Sequence, residues 1–209
     1  SALWGRYTGP TETTLQKDFD TAARSGVDGL ITALEHSRRG SLVIGPRDFE
    51  GTQGTRFYPL LYLLMRSGSA RDLGTGRELT VAALESGDRL ERHMLFPTAL
   101  LRGHGTKSDA IANFCFLADG NDLGVGQLAP HEYLGRVEAK QPGVLASQWI
   151  PTDPSLWRVE RYRDFLAARR EMLAEAAQSF LDGLLEGTHE DGRELQPLTV
   201  VAQDAVDPR

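Results

Sequence analysis

One histidine and two asparagines carry most of the chemistry that the middle of this chain could perform. In LERHMLFPTALLRGHGTKSDAIANFCFLADGN, residues 90–121, His93 stands in a short apolar strand that ends at Phe96-Pro97. Asn113 and Asn121 lie on either side of a second apolar strand, residues 114–117. An imidazole can take a proton from water near neutral pH or ligate a cation, and an amide can orient that imidazole or add an oxygen to the cation's shell. Such a set suits phosphodiester hydrolysis, which needs a water nucleophile, a base for its proton, and a cation at the phosphate. His104, in the glycine loop after the first strand, is a second imidazole, and Glu91 and Asp119 are nearby carboxylates. Alternation places Glu91, His93 and Leu95 on one side of the first strand and Leu90, Arg92, Met94 and Phe96 on the other. Met94 therefore belongs to an apolar face, and its thioether has no proton to exchange. Taken singly, each of these residues has an ordinary structural role; the combination with Phe-Pro makes them candidates.

The elements that must hold this stretch are mostly helical. Leu15, Phe19, Ala22 and Ala23 recur at helical spacing over residues 13–24, Gly26 closes that helix, and a second one follows over 27–34. A short strand is expected over 41–44. FYPLLYLLM, residues 57–65, is apolar on nearly every side, which predicts a helix buried all round with Pro59 in its first turn. Residues 67–80, with GTG at 74–76, form the best boundary, giving an N-terminal helical part at 1–76 and a core at 77–187. The glycine pair lacks the companions of a phosphate-binding loop. After a helical turn at 98–101, Ser108 is expected to cap a second turn through Ile111. DGNDLG at 119–124 fails as a calcium loop because Leu123 takes a ligand position and Pro130 stands where a bidentate Glu is needed. Further helices are expected over 130–140 and 143–150, with His131 exposed on the first. Residues 157–185 form the longest helical pattern, with one apolar stripe. The arginines of its first half, Arg169 and Arg170 among them, are expected to be solvated or paired with Glu160, Asp164 and Glu171. A partly ordered tail is expected over 188–209.

Composition bounds the rest. The 209 residues are 25% charged and 40% hydrophobic with a net charge of −6, which suits a globular protein and argues mildly against one that coats nucleic acid. No apolar run approaches the length of a membrane span and no secretory leader is visible, so the expected location is the cytoplasm. The single cysteine, Cys115, excludes disulfides within the chain and CxxC zinc sites and is expected to be a buried, inert thiol.

The order of these segments is similar to the C-terminal region of the GmrSD-like restriction endonucleases, which carry a ββα-metal nuclease motif of the HNH type. The likeness spans most of the chain: LWGRYTGPTETTLQKD, RFYPLLYLLM, LERHMLFPTALL, IANFCFLADGNDL, APHEYL, WIPTDPSLW and YRDFLAARREMLAEAAQSFL. The resemblance implies a mainly α fold with a small β component, in which a helical domain encloses the nuclease motif. It also implies cleavage or nicking of foreign or modified DNA in anti-phage defence, with Mg²⁺ or Mn²⁺ as cofactor and a nucleotide-hydrolysing N-terminal sensor domain as partner. Position by position, His93 falls on a metal ligand, Asn113 on the second-strand Asn, Asn121 on the last metal ligand, and Met94 on the general base. The basic residue common after the last Asn is missing from NDLGVG.

Two expectations result. Either the site cuts, with His93 or His104 as base and the metal held by Asn121, Asp119 or Glu91, or it is a degenerate module that holds DNA or docks on the sensor domain. Arg92, Arg102, Lys107, Arg158 and Arg161 are the candidates for DNA contact.

Overall fold

The computed structural model describes residues 2–52, 55–80, 90–102, 105, 107–118, 120, 123–125 and 127–186. The protein is mainly helical, with one two-stranded antiparallel sheet among the described residues. Among the described residues, six α-helices, α1 (Thr11–Ser37), α2 (Tyr58–Ser67), α3 (Thr98–Leu101), α4 (Pro130–Lys140), α5 (Val144–Ser147) and α6 (Tyr162–Glu186), accompany strands β1 (Leu90–Met94) and β2 (Phe114–Ala118). Short 3-10 turns at Pro154–Trp157 and Val159–Arg161 lead into α6. Among the described residues no helix is long and apolar enough to cross a membrane. The expected tail at 188–209 lies outside the described residues.

The strands pair in the register Leu90↔Ala118, Arg92↔Phe116, His93↔Cys115 and Met94↔Phe114. Paired residues share a face of the sheet, and each face meets its own core. Leu90, Met94, Phe114, Phe116 and Ala118 pack with Leu60, Leu61, Leu64 and Met65 of α2 and with Leu173 and Ala177 of α6. Cys115 and Leu117 pack with Tyr133 and Leu134 of α4, Leu145 of α5, and Tyr162 and Phe165 of α6. The sheet is thus a partition between two apolar clusters, with α6 running past both. Ile44, Phe57, Ile111 and Phe114 lie in one cluster, so the N-terminal part at 1–76 shares a core with the later half of the chain.

Because the described sheet has only two strands, the outer edge of β2 has no third strand to bond. Side chains take that place. Gln148 accepts from the Phe116 N–H at 3.0 Å and donates to the Phe116 carbonyl at 2.7 Å and to the Arg71 carbonyl at 2.8 Å. Asp72 accepts from the Ala118 N–H at 2.8 Å, while its other oxygen takes the N–H groups of Gly74 and Thr75 and the Thr75 hydroxyl. Arg169 donates to the carbonyls of Ala112, Gln148 and Trp149. All three side chains are wholly buried, and burial lowers the Arg169 guanidinium from its ordinary value to about 10.

Several expectations are met here. α1 is broken at Gly26 (φ 62, ψ −155), as the closing glycine predicts, and Pro59 sits in the first turn of α2. α4 covers residues 130–140 as expected, with His131 exposed. Others are corrected. Residues 41–44 form no strand: the Ile44 N–H is taken by the Gln178 side chain at 2.8 Å, so the segment is pinned to α6. α2 is not buried all round, since Tyr62 and Leu63 face outward. Arg169 is neither solvated nor paired with Glu160, Asp164 or Glu171 among the described residues. Within 67–80 the chain turns at 73–75 inside an Arg71–Glu78 bridge, with Leu73 and Leu79 buried and Asp72 tied to β2.

Gln148→Ala strands the Phe116 N–H and C=O in a water-excluded core, where each orphaned group costs about 1–3 kcal/mol. Denaturant unfolding of this variant is expected to show a loss of roughly 3–4 kcal/mol. Gln148→Glu should also destabilise strongly, because a carboxylate keeps the acceptor but offers no donor to either carbonyl.

Candidate functional site

His93 lies near the end of β1, half-buried, facing Cys115 across the ladder. Its ring stands edge-on to Tyr133 of α4, with centroids 6.5 Å apart and planes at 88°. The Tyr133 hydroxyl donates to the Leu95 carbonyl at 3.0 Å. Burial holds that phenol well above its ordinary range, so Tyr133 is a neutral donor that fixes the backbone two residues beyond His93.

Asn113 completes the frame. Its main-chain carbonyl accepts from the Leu95 N–H at 2.9 Å, continuing the ladder one step past β1. Its side-chain oxygen accepts from the Phe96 N–H at 2.9 Å, and its amide donates to the Phe96 carbonyl at 2.9 Å and to the Ser108 carbonyl at 2.8 Å. Asn113 is fully buried. It therefore acts as a clamp on residues 95–97 and not as an exposed turn residue. Ser108 contributes its carbonyl to this clamp instead of capping a turn. Phe96 leaves the Met94 face once the strand ends and packs 5.0 Å from both Tyr162 and Phe165. With Pro97 buried behind it, the Phe-Pro pair anchors the end of the strand.

Met94 points to the face opposite His93. Its sulfur lies 3.5 Å from the Thr98 hydroxyl, which is 3.0 Å from the Ser108 hydroxyl, and its side chain packs against the α2 core. Glu91 shares the His93 face and is exposed. His104, Asp119 and Asn121 lie outside the described residues. Among the described residues, no group of three or more His, Cys, Asp or Glu side chains is placed to hold a metal ion. The described donors, His93 and Glu91, do not by themselves make up a metal centre.

The candidate DNA contacts divide. Arg92 is exposed on the Met94 face, its guanidinium 4.6 Å over the Phe114 ring. Arg102 and Lys107 are exposed on the connection between α3 and β2. The Tyr162 hydroxyl donates to the Lys107 carbonyl at 2.8 Å, which sets that connection beside the turn carrying Arg158 and Arg161. Arg161 is engaged by Asp164 at 2.5 Å, an exposed pair of little energetic weight. A groove of about 700 Å³ lies elsewhere, between the end of α2 and the second half of α6, and neither His93 nor Asn113 lines it.

Sequence reasoning missed Asp72, Gln148 and Arg169, which hold the strand that His93 pairs with. Only Arg169 had a legible signal: it falls on the apolar stripe of α6 between Phe165 and Leu173, where a solvated arginine does not belong.

Burial pushes the Cys115 thiol up to about 12, so almost no thiolate exists at pH 8. Native protein is expected to resist thiol-reactive dye at that pH and to react only on unfolding; rapid native labelling would contradict the burial. Asn113→Asp keeps one acceptor but loses two donors and faces two carbonyls, which raises the introduced carboxyl's pKa. Its stability cost, about 2–3 kcal/mol near pH 7, should shrink as pH falls toward the unfolded value near 4 and the group protonates. Unfolding curves at pH 7 and pH 5 check this.

No protein-family model, curated protein or solved structure matches the chain.

Proposed function

We propose that this chain is a DNA endonuclease or nickase domain of a restriction protein, hydrolysing phosphodiester bonds with a divalent cation. The observation that carries this reading is the clamp around His93: a histidine on a hairpin strand whose Phe-Pro exit is held on N–H and C=O alike by one buried asparagine. In a hydrolase built this way, His93 accepts the proton of the attacking water, and the edge of Tyr133 limits how far its ring can turn. The cation, when bound, supplies charge stabilisation at the phosphate. Lys107, Arg158 and Arg161, on segments that the Tyr162 hydroxyl joins through the Lys107 carbonyl, would offer phosphate contacts that position a duplex without reading its sequence. A duplex with modified bases or foreign origin is the substrate this reading favours.

A second reading is favoured by Met94. The side chain at the position where the resemblance expects a base packs into the α2 core, on the far face of the sheet. The alternative is therefore a noncatalytic module that keeps the scaffold, holds DNA and docks on a sensor domain.

Supercoiled plasmid with Mg²⁺ or Mn²⁺ separates the two. Under the nuclease reading, nicking depends on the metal and drops by about 10²-fold or more in His93→Ala; a gain in Met94→His would show that the scaffold is intact and lacked only a base. Equal nicking in wild type and His93→Ala would remove the assigned site. Salt-sensitive DNA binding without cleavage under either metal, and with no gain in Met94→His, would establish the noncatalytic module.

A further inference from the structure

Away from the His93 hairpin, the groove of about 700 Å³ between the end of α2 and the second half of α6 joins an apolar floor to an acidic rim. Leu64 of α2, Trp149, and Ala176 and Phe180 of α6 supply the floor. Leu184, one turn beyond Phe180 on the same side of the helix, is 44% exposed and widens that apolar surface. Trp149 is held there under strain. Its φ of 53° lies in the left-handed region, which a tryptophan rarely adopts. The turn is kept by the Trp149 N–H, which donates to the Ala146 carbonyl at 3.0 Å, and by buried Arg169, which donates to the Trp149 carbonyl at 3.2 Å. Strain of this kind persists where the surroundings over-determine it, and it gathers at ligand clamps. Here it lays the indole beside Gly68, where a Cβ would stand 3.6 Å from the ring.

The rim decides the sign of the occupant. Asp182 and Glu186 line the groove, and among the described residues no Lys or Arg does. Glu175 is exposed and, at about 100° per residue, projects within about 20° of both, so the acidic edge runs about 16 Å along α6. After Arg170 the helix contains no basic residue. The Ser67 hydroxyl gives its proton to the Leu63 carbonyl at 2.7 Å, and Asp182 accepts from the Gln178 amide at 2.7 Å. Both meet an occupant as acceptors, which suits ammonium or guanidinium N–H groups. Phosphate backbones and anionic lipid surfaces have the wrong sign. So does the chain that follows α6, since residues 187–209 hold five acids against two arginines. A small amine would engage one carboxylate and leave most of the edge unused. A helix of about three turns laid along α6 spans it, with apolar residues on the floor and Lys or Arg against the acids.

We propose that this groove receives a basic amphipathic helix of a partner protein, its apolar face on Trp149, Phe180 and Leu184 and its cations along Glu175, Asp182 and Glu186. The inference is independent of the nuclease reading.

Fluorescence anisotropy of a labelled Leu/Lys peptide of about 14 residues, its leucines at helical spacing, titrated with the whole chain tests it. A Kd on the order of 10 µM is expected, weakened at least about tenfold by scrambling the peptide's order or by about 0.5 M salt. Ser179→Trp fills the groove without changing its charge, and Asp182→Lys reverses the rim. Both residues are exposed, so circular dichroism and melting should stay as in wild type while binding falls at least about tenfold. Glu160→Lys makes the same charge change on an exposed residue at the other end of α6, about 30 Å away, and should leave binding within about twofold of wild type. Ordered and scrambled peptides that bind alike, a Ser179→Trp chain that binds as wild type, a Glu160→Lys chain as weak as Asp182→Lys, or displacement of the peptide by equimolar spermine would each overturn the proposal.

Discussion

The bonding of the outer edge of β2 is the constraint on which the rest of this structure depends. A two-stranded sheet satisfies only half of its backbone groups, and in water the other half is solvated. Here β2 is wholly buried between two apolar clusters, where an unbonded N–H or C=O costs as much as a lost hydrogen bond. Asp72 answers the Ala118 N–H, Gln148 both backbone groups of Phe116, and Arg169 the Ala112 carbonyl, and Asn113 answers the groups of Phe96 across the hairpin. These are four of the five polar or charged residues that are buried in the described chain. Each comes from a different segment, so the edge also ties the turn at 72–79, the end of α5, and α6 to one strand.

That arrangement determines how well His93 can be held. A residue on an isolated hairpin would move with the fraying of its strands. On β1 it is carried by a ladder whose partner strand cannot shift register without stranding Gln148 and Asp72, and by an exit segment that Asn113 and Tyr133 fix from two sides. The scaffold therefore fixes the backbone just beyond His93 from two sides.

How far this was legible in the sequence depends on the range of the forces involved. Local rules were sufficient where the signal is local: the Gly26 break in α1, Pro59 in the first turn of α2, the 130–140 helix, and the division of β1 into a His93 face and a Met94 face. Two-residue alternation gave that division, and the register bears it out as far as Leu95. It failed at Phe96, because the strand had already ended and Pro97 turned the chain toward the other core. The polar edge was invisible because its members are distant in sequence: Asp72 and Ala118, or Ala112 and Arg169, meet only in the fold. Nor could the pattern of α1 say which way its apolar residues face. Periodicity marks a stripe, but only the arrangement of the other helices decides whether the stripe looks inward, and here it does not.

The chemistry of the candidate site and the integrity of its scaffold are separable, and Met94 shows why. None of the groups that hold the hairpin uses the side chain at position 94; the clamp is Asn113 on backbone, and the edge is Gln148 and Asp72 on backbone. The thioether makes only a contact with the Thr98 hydroxyl and with apolar neighbours in the α2 core. An imidazole there would be close to methionine in volume and would find a polar partner in that hydroxyl. The fold can therefore keep either residue at 94, and the framework around His93 would persist unchanged in a chain that cuts DNA and in one that only binds it.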